Sequence, residues 1–203
     1  MSGPQVIIIT GAPGAGKTTV GRLIAQALGL PFISKDGIKE TLFNSLGWKD
    51  RDWSRRLGAA SMDVLFHLLE LELEAGRSCV VESNFYPELA VPRFLALKQE
   101  YPYEPWQIVC RAEPGVLAQR YAGRVSSGER HPGHVDEFLL NEFDPVALQN
   151  RHTALDLGGA VFCVDTTDFQ PIDFDGLIRT IRERGGSDSP DPGASHGDGG
   201  AVF

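Results

Sequence analysis

The chain has 203 residues, 42% hydrophobic and 23% charged, enough for one domain with a sizeable core. Its net charge of −8 and pI near 5.1 repel a long anionic polymer, so nucleic acid is a disfavoured partner unless one face is locally basic. Cys79, Cys110 and Cys163 lie too far apart for a metal site or a disulfide framework, and the N-terminal apolar run is too short for a signal peptide or membrane span; a reduced, cytoplasmic protein is expected.

The first predicted element is a strand over Val6–Thr10, a short β-branched run of the kind buried on both faces. Directly after it, Gly11-Ala12-Pro13-Gly14-Ala15-Gly16-Lys17-Thr18 fits G-x-x-x-x-G-K-[ST], the phosphate-cradling (Walker A) loop. Its glycines let the backbone turn tightly, and its amides then form an anion nest at the positive end of a helix that starts near Lys17 and runs on through Thr19. Lys17 is placed to reach the β- and γ-phosphates of a nucleotide, and the Thr18 hydroxyl to ligate Mg²⁺. The plainer reading is an ordinary Gly-rich turn; the strand before and the helix after argue against it.

Four more apolar runs follow, Pro31–Ser34, Cys79–Glu82, Trp106–Cys110 and Ala160–Val164, separated by helical patterns. This alternation predicts an α/β fold with a five-stranded parallel sheet. The first helix has an apolar face of Val20, Leu23, Ile24, Ala27 and Leu28 and is stopped by Gly29. Asp36 is a candidate cap for a second helix ending near Asn44, and Leu46–Asp52 reads as a loop. Ser54 is the candidate cap of a long helix to about Ala75. Further helices are expected over Glu88–Glu100 and from Pro114 onward. The polar, turn-rich stretch Ser126–His134 reads as a mobile flap within a lid of about residues 120–140. Helical stretches follow around Val135–Glu142, Pro145–Leu155 and Asp173–Arg184. Residues 185–203, rich in Gly, Ser, Asp and Pro, are expected to be a disordered tail after a domain spanning 1–184.

Ligands of open parallel sheets bind beyond the carboxyl ends of the strands, so the polar residues there carry the chemistry. Asp36 follows the second run and is a candidate to accept the proton of a substrate hydroxyl while a γ-phosphate is attacked in line. After the third run, Glu82 could orient metal-bound water and Asn84 could hydrogen-bond the substrate; a strand-end charge reaching solvent is the plainer role for Glu82. Arg120 and Arg124 share a helix face and, with Arg130 in the flap, could close on a nucleotide, one stacking on the base and the others neutralising the transferring group. Arg55 and Arg56 could meet an anionic substrate or simply face solvent. His131 and His134 lack the neighbours of a metal site and are expected to touch substrate or solvent. Arg111 is read as a surface or interdomain charge, the backbone of Val164–Asp168 as a contact for the base, and Trp48, Trp53, Phe85 and Tyr86 as candidate pocket walls, with core or loop anchors as their plainer role.

Gly11–Thr18, Ser34-Lys35-Asp36, Val80-Val81-Glu82-Ser83-Asn84 and the Arg120/Arg124/flap arrangement resemble the small P-loop kinases. That group includes polynucleotide 5′-hydroxyl kinases, zeta toxins and chloramphenicol phosphotransferases, and the likeness spans Val6–Arg184. The resemblance implies a P-loop NTPase three-layer sandwich with strand order 2-3-1-4-5 and a helical lid. It also implies ATP and Mg²⁺, phosphoryl transfer to a small-molecule hydroxyl, a substrate-orienting or catalytic Asp36, and nucleotide contacts for Arg120 and Arg124. The alternatives are transfer to a polynucleotide 5′-hydroxyl, or a nucleotide-driven switch without an acceptor. Many relatives carry Asp where this chain has Glu82.

Overall fold

A computed structural model describes residues 3–128, 130–136, 143–186 and 201–202. Its centre is β1 (Gln5–Gly11), paired in parallel with β3 (Cys79–Glu82) on one side and β4 (Glu104–Arg111) on the other. β2 (Phe32–Ser34) extends the sheet beyond β3, and β5 (Ala160–Asp165) beyond β4. The strand order 2-3-1-4-5 is the one the resemblance implied, and every pairing is parallel.

Strand periodicity assigns the layers. Ile7 and Ile9 face α1 (Lys17–Leu28) and α7 (Phe174–Gly186), packing with Val20, Ile24, Leu177 and Ile181. Val6 and Ile8 point the other way, into a cluster with Leu65 and Leu69 of α3 (Arg51–Glu74) and Phe94 of α4 (Pro87–Glu100). All four β1 side chains are 0% exposed, each worth about 1.5–3 kcal/mol of burial. α2 (Lys35–Leu46) leans on α3 at one edge, and α5 (Pro114–Ser127) with the short α6 (Pro145–Arg151) covers the other. The chain leaves β1 toward β2 and later crosses back to β4, so the order reverses beside β1 and opens a crevice at its carboxyl end.

The structure departs from the sequence reading in four places. Ser34, not Asp36, caps α2: its backbone is extended and its hydroxyl accepts the Gly37 amide at 3.4 Å, which leaves the Asp36 carboxylate free for other work. Asp50, not Ser54, caps α3 by accepting the Trp53 amide at 2.8 Å, so the expected loop shortens and Ser54 becomes a buried helical residue. The flap ends in a 3-10 turn, Pro132–His134, and Val135 after it is left-handed at φ 51°, so the helix expected from Val135 does not start there; its remainder over 137–142 lies outside the described residues. Finally, α7 reaches Gly186, and Ala201–Val202 form β6, which adds to the open edge of β5. That pair is apolar and meets an unpaired strand edge, two properties the composition of the tail as a whole conceals. The rest of the proposed tail, 187–200 and 203, lies outside the described residues.

Candidate active site

The loop between β1 and α1 is held open by backbone that side chains would obstruct. Gly11 sits at φ 142°, where a Cβ would come within 2.3 Å of the Cys110 carbonyl oxygen. Gly16, in the left-handed conformation at φ 71°, is the N-cap of α1 and aims the first amides of the helix into the cradle. The loop is also pinned from β5: the buried Thr166 hydroxyl contacts the carbonyls of Ala15 and Arg111 at 3.0 and 2.8 Å. Inside, the Lys17 ammonium donates to the Ala12 carbonyl at 2.9 Å. Burial lowers its pKa below the ordinary lysine value, against the opposing pull of Glu82 and Asp36.

Parallel register sets Glu82 opposite both Ile9 and Ser34, at the edge of the cradle. Its carboxylate is 4% exposed, and its Oε2 accepts the Ser34 hydroxyl at 2.7 Å and faces the Thr18 hydroxyl at 3.5 Å. Oxygen donors of this kind suit a small hard cation, so Thr18 and Glu82 fit a magnesium site.

Across the cradle stands Asp36, half-buried on the first turn of α2. Its carboxylate pairs with Lys35 at 3.2 Å and with Arg130 at 2.6 Å; Arg130 also holds Asp136 at 2.5 Å. Burial alone would raise the Asp36 pKa, but Lys35 and Arg130 outweigh it and hold the carboxyl well below the usual range. The flap that carries Arg130 is docked on α2: His131 stacks on Phe43 with ring centroids 5.0 Å apart, and His134 meets the same ring edge-on at 5.4 Å and contacts Glu40 at 3.0 Å. A Cβ on Gly133 would lie 2.8 Å from that ring, so the turn seats closely. His131 and His134 are therefore packing groups of the flap, and burial pushes His134 down to about 3, neutral at physiological pH.

Lys17, Thr18, Asp36, Glu82, Arg124 and Arg130 all border one cavity of about 270 Å³. Arg120 is not among its walls. Its guanidinium donates to the Thr166 and Thr167 carbonyls at 2.8 and 3.2 Å and lies 5.3 Å from the Phe169 ring centroid. It borders a second cleft, with Gly14, Gly16, Thr19, Arg124 and Phe169, and its buried Nη1 has no hydrogen-bond partner among the described residues. The backbone after β5 expected to meet the base thus has two carbonyls committed to Arg120. A third cavity, of about 610 Å³, opens between α2, α3 and the start of α4. Asn84, Arg55, Phe85 and Tyr86 line it, as the sequence suggests; Trp48 and Trp53 do not, and Trp53 donates instead to the Gly47 carbonyl at 2.9 Å.

Sequence reasoning missed Lys39, which borders both the 270 and the 610 Å³ cavities, and Ser34, which holds Glu82. Lys35 and Lys39 are four apart and share a helix face with Asp36 near by, a signal that was present but unread. Asp136, the second partner of Arg130, offered no such signal.

A phosphate loop, a carboxylate facing it and arginines from a lid define a P-loop phosphotransferase. The family model for the AAA domain matches residues 6–144, and the chain belongs to that family. It is 38% identical to a crystal structure from Chloroflexus aurantiacus J-10-fl described as a "putative kinase", at a TM-score of 0.79, with 89% of this chain and 97% of that one covered. Shikimate kinase of Rhodopirellula baltica is 27% identical over 154 residues, 70% of this chain and 73% of that protein. A protein of Thermococcus onnurineus named "Putative adenylate kinase" is 27% identical over 185 residues, covering 89% and 86%. The chain is a nucleotide-binding kinase. Among the described residues no helix is long and apolar enough to cross a membrane.

Proposed function

We propose that this kinase transfers the γ-phosphoryl group of ATP to a hydroxyl of a small molecule, in the cytoplasm. The observation that carries the reading is the shared cavity of about 270 Å³ bordered by Lys17 and Thr18 of the loop, by the Asp36 carboxylate with its partner Arg130, and by Arg124. Residues 11–19 wrap the triphosphate with backbone amides, and Lys17 exchanges its Ala12 contact for the β- and γ-phosphates. Arg120, Phe169 and the unpartnered Nη1 form a platform for the base. Magnesium, held by Thr18 with Glu82 behind it, would offset the charge on the β- and γ-phosphates.

Asp36 receives the acceptor hydroxyl and points its oxygen at the γ-phosphorus. The new O–P bond forms as the bond from γ-phosphorus to the β–γ bridging oxygen breaks; ADP leaves with that oxygen and its electron pair, and the hydroxyl proton passes to Asp36. A carboxyl held this acidic is a weak base, so orientation is its larger contribution, as a loose phosphoryl-transfer transition state permits. Arg124 and Arg130 neutralise charge on the transferring oxygens. The test is ADP formation with a panel of hydroxylated metabolites. Acceptor-dependent turnover that is lost in Lys17→Ala and strongly reduced in Asp36→Asn supports the reading. Full activity of Asp36→Asn on a genuine acceptor refutes the assignment.

A further inference from the structure

The 610 Å³ cavity adjoins the phosphate cavity: Lys35, Lys39, Asn84 and His134 line both. Its deep wall is apolar: Phe85 is 0% exposed and Phe66 5%, with Met62 and Ala90 beside them. Among the described residues its charges have one sign: Lys35, Lys39, Arg51, Arg55 and Arg93 line it and no carboxylate does, in a protein whose net charge is −8. Several of these cations have other engagements. Lys35 pairs with Asp36, and Arg93 is held by Asp63 at 2.8 Å and lies over Phe66 at 4.0 Å.

Two are placed to serve a ligand. Lys39 is 7% exposed, yet its ammonium is satisfied only by the Ser54 hydroxyl at 2.8 Å and by the Phe43 ring at 5.2 Å, with no carboxylate within ion-pair distance among the described residues. A buried cation without a counter-ion is costly, and an anion entering the cavity removes that cost. Arg55 meets Asp52 at a loose 3.6 Å with both side chains mostly in water, a pairing worth little and readily given up. Between them α3 is notched: a Cβ on Gly58 would sit 3.7 Å from Lys39 Nζ and 3.9 Å from Lys35 Nζ, so the glycine leaves open the space where a ligand group meets both ammonium groups.

We infer that this cavity binds a hydroxylated small molecule made of an apolar body and one anionic group, carboxylate or phosphate, with Lys39 and Arg55 reading the anion and Phe66 and Phe85 the body. The inference rests on the kinase reading only in naming that molecule the phosphoryl acceptor; the anion preference itself is a property of the cavity.

Calorimetric titration with three probes of similar size tests it: 3-phenyllactate, 2-phenylethyl phosphate and the neutral 3-phenylpropane-1,2-diol, each with and without a nonhydrolysable ATP analogue. At least one of the two anions is expected to bind about tenfold or more tightly than the diol, and which one wins separates carboxylate from phosphate. Lys39→Met is expected to cut that advantage to about threefold or less while the diol binds as before, and Arg55→Gln to reduce it in part. Gly58→Leu, which fills the notch without touching the loop, is expected to weaken all three probes about tenfold while the analogue still binds. Equal affinity for anions and diol, no binding of any probe, or an anion advantage that survives Lys39→Met overturns the inference. Failure of wild-type protein to bind the analogue counts against the kinase reading alone, because the probes are also titrated without it.

Discussion

The two sides of the active-site crevice are built on different principles. The phosphate side is backbone: consecutive residues between β1 and α1, fixed by glycine geometry and by hydrogen bonds to carbonyls, present amides whose direction no rotamer can change. The side proposed to take the acceptor is built of side chains, Asp36 and Lys39 from α2, Arg55 from α3, Asn84 after β3 and Arg130 from the flap, around the space that Gly58 leaves, all brought together by packing. A backbone cradle recognises what all its ligands share, a phosphate chain. A wall of side chains can change with each substitution while the fold stays, which makes it the proposed seat of substrate choice.

That division ranks the expected effects. Lys17→Ala removes the side chain proposed to reach the β- and γ-phosphates, and kcat/KM for any acceptor should fall about 10³-fold or more with the melting temperature little changed. Asp36→Asn keeps the shape but removes the negative charge that Arg130 and Lys35 face and leaves one acceptor oxygen where both now need one; a loss of about 10²–10³ in kcat is expected, with nucleotide affinity unchanged. A larger fall in nucleotide affinity than in kcat would move Asp36 to the phosphate side. Gly11→Ala tests the backbone principle through stability. At φ 142° and 2.3 Å from a carbonyl oxygen the added methyl has nowhere to go, so chemical denaturation should show a loss of about 2–3 kcal/mol.

The same division explains what could be read from the chain beforehand. The loop and its strand and helix were legible because their geometry is local: eight adjacent residues specify it. Asp36 could be singled out as a candidate through its position after β2, a consequence of parallel topology, and it does border the phosphate cavity. Helix caps were not resolved, because Ser34 and Asp36, or Asp50 and Ser54, are all competent cappers; the choice falls to where β2 ends and where Trp53 can turn inward. Arg120 was grouped with Arg124 by spacing, but its carbonyl partners lie 46 and 47 residues away and turn it from the phosphate cavity to the neighbouring cleft, where the base is proposed to lie. Lys39 was passed over because a lysine reads as surface until α3 is packed over it.

Lys39 also supplies the finest test, since protonation changes the acceptor side without altering a single residue. Burial lowers its ammonium from 10.5 to about 8, helped by Lys35 and Arg130 and opposed by Asp36 and Asp136. Because kcat/KM reports the free enzyme, its value for an anionic acceptor should fall as pH rises through about 8, by about tenfold at pH 9, while Lys39→Arg stays flat. Stability should move the opposite way. Between about 8 and 10.5 the folded chain binds fewer protons at Lys39 than the unfolded chain, so wild type gains stability with rising pH relative to Lys39→Met. Opposite slopes in the two measurements identify an ammonium held without a counter-ion for a ligand's sake; parallel slopes mean that it serves the fold.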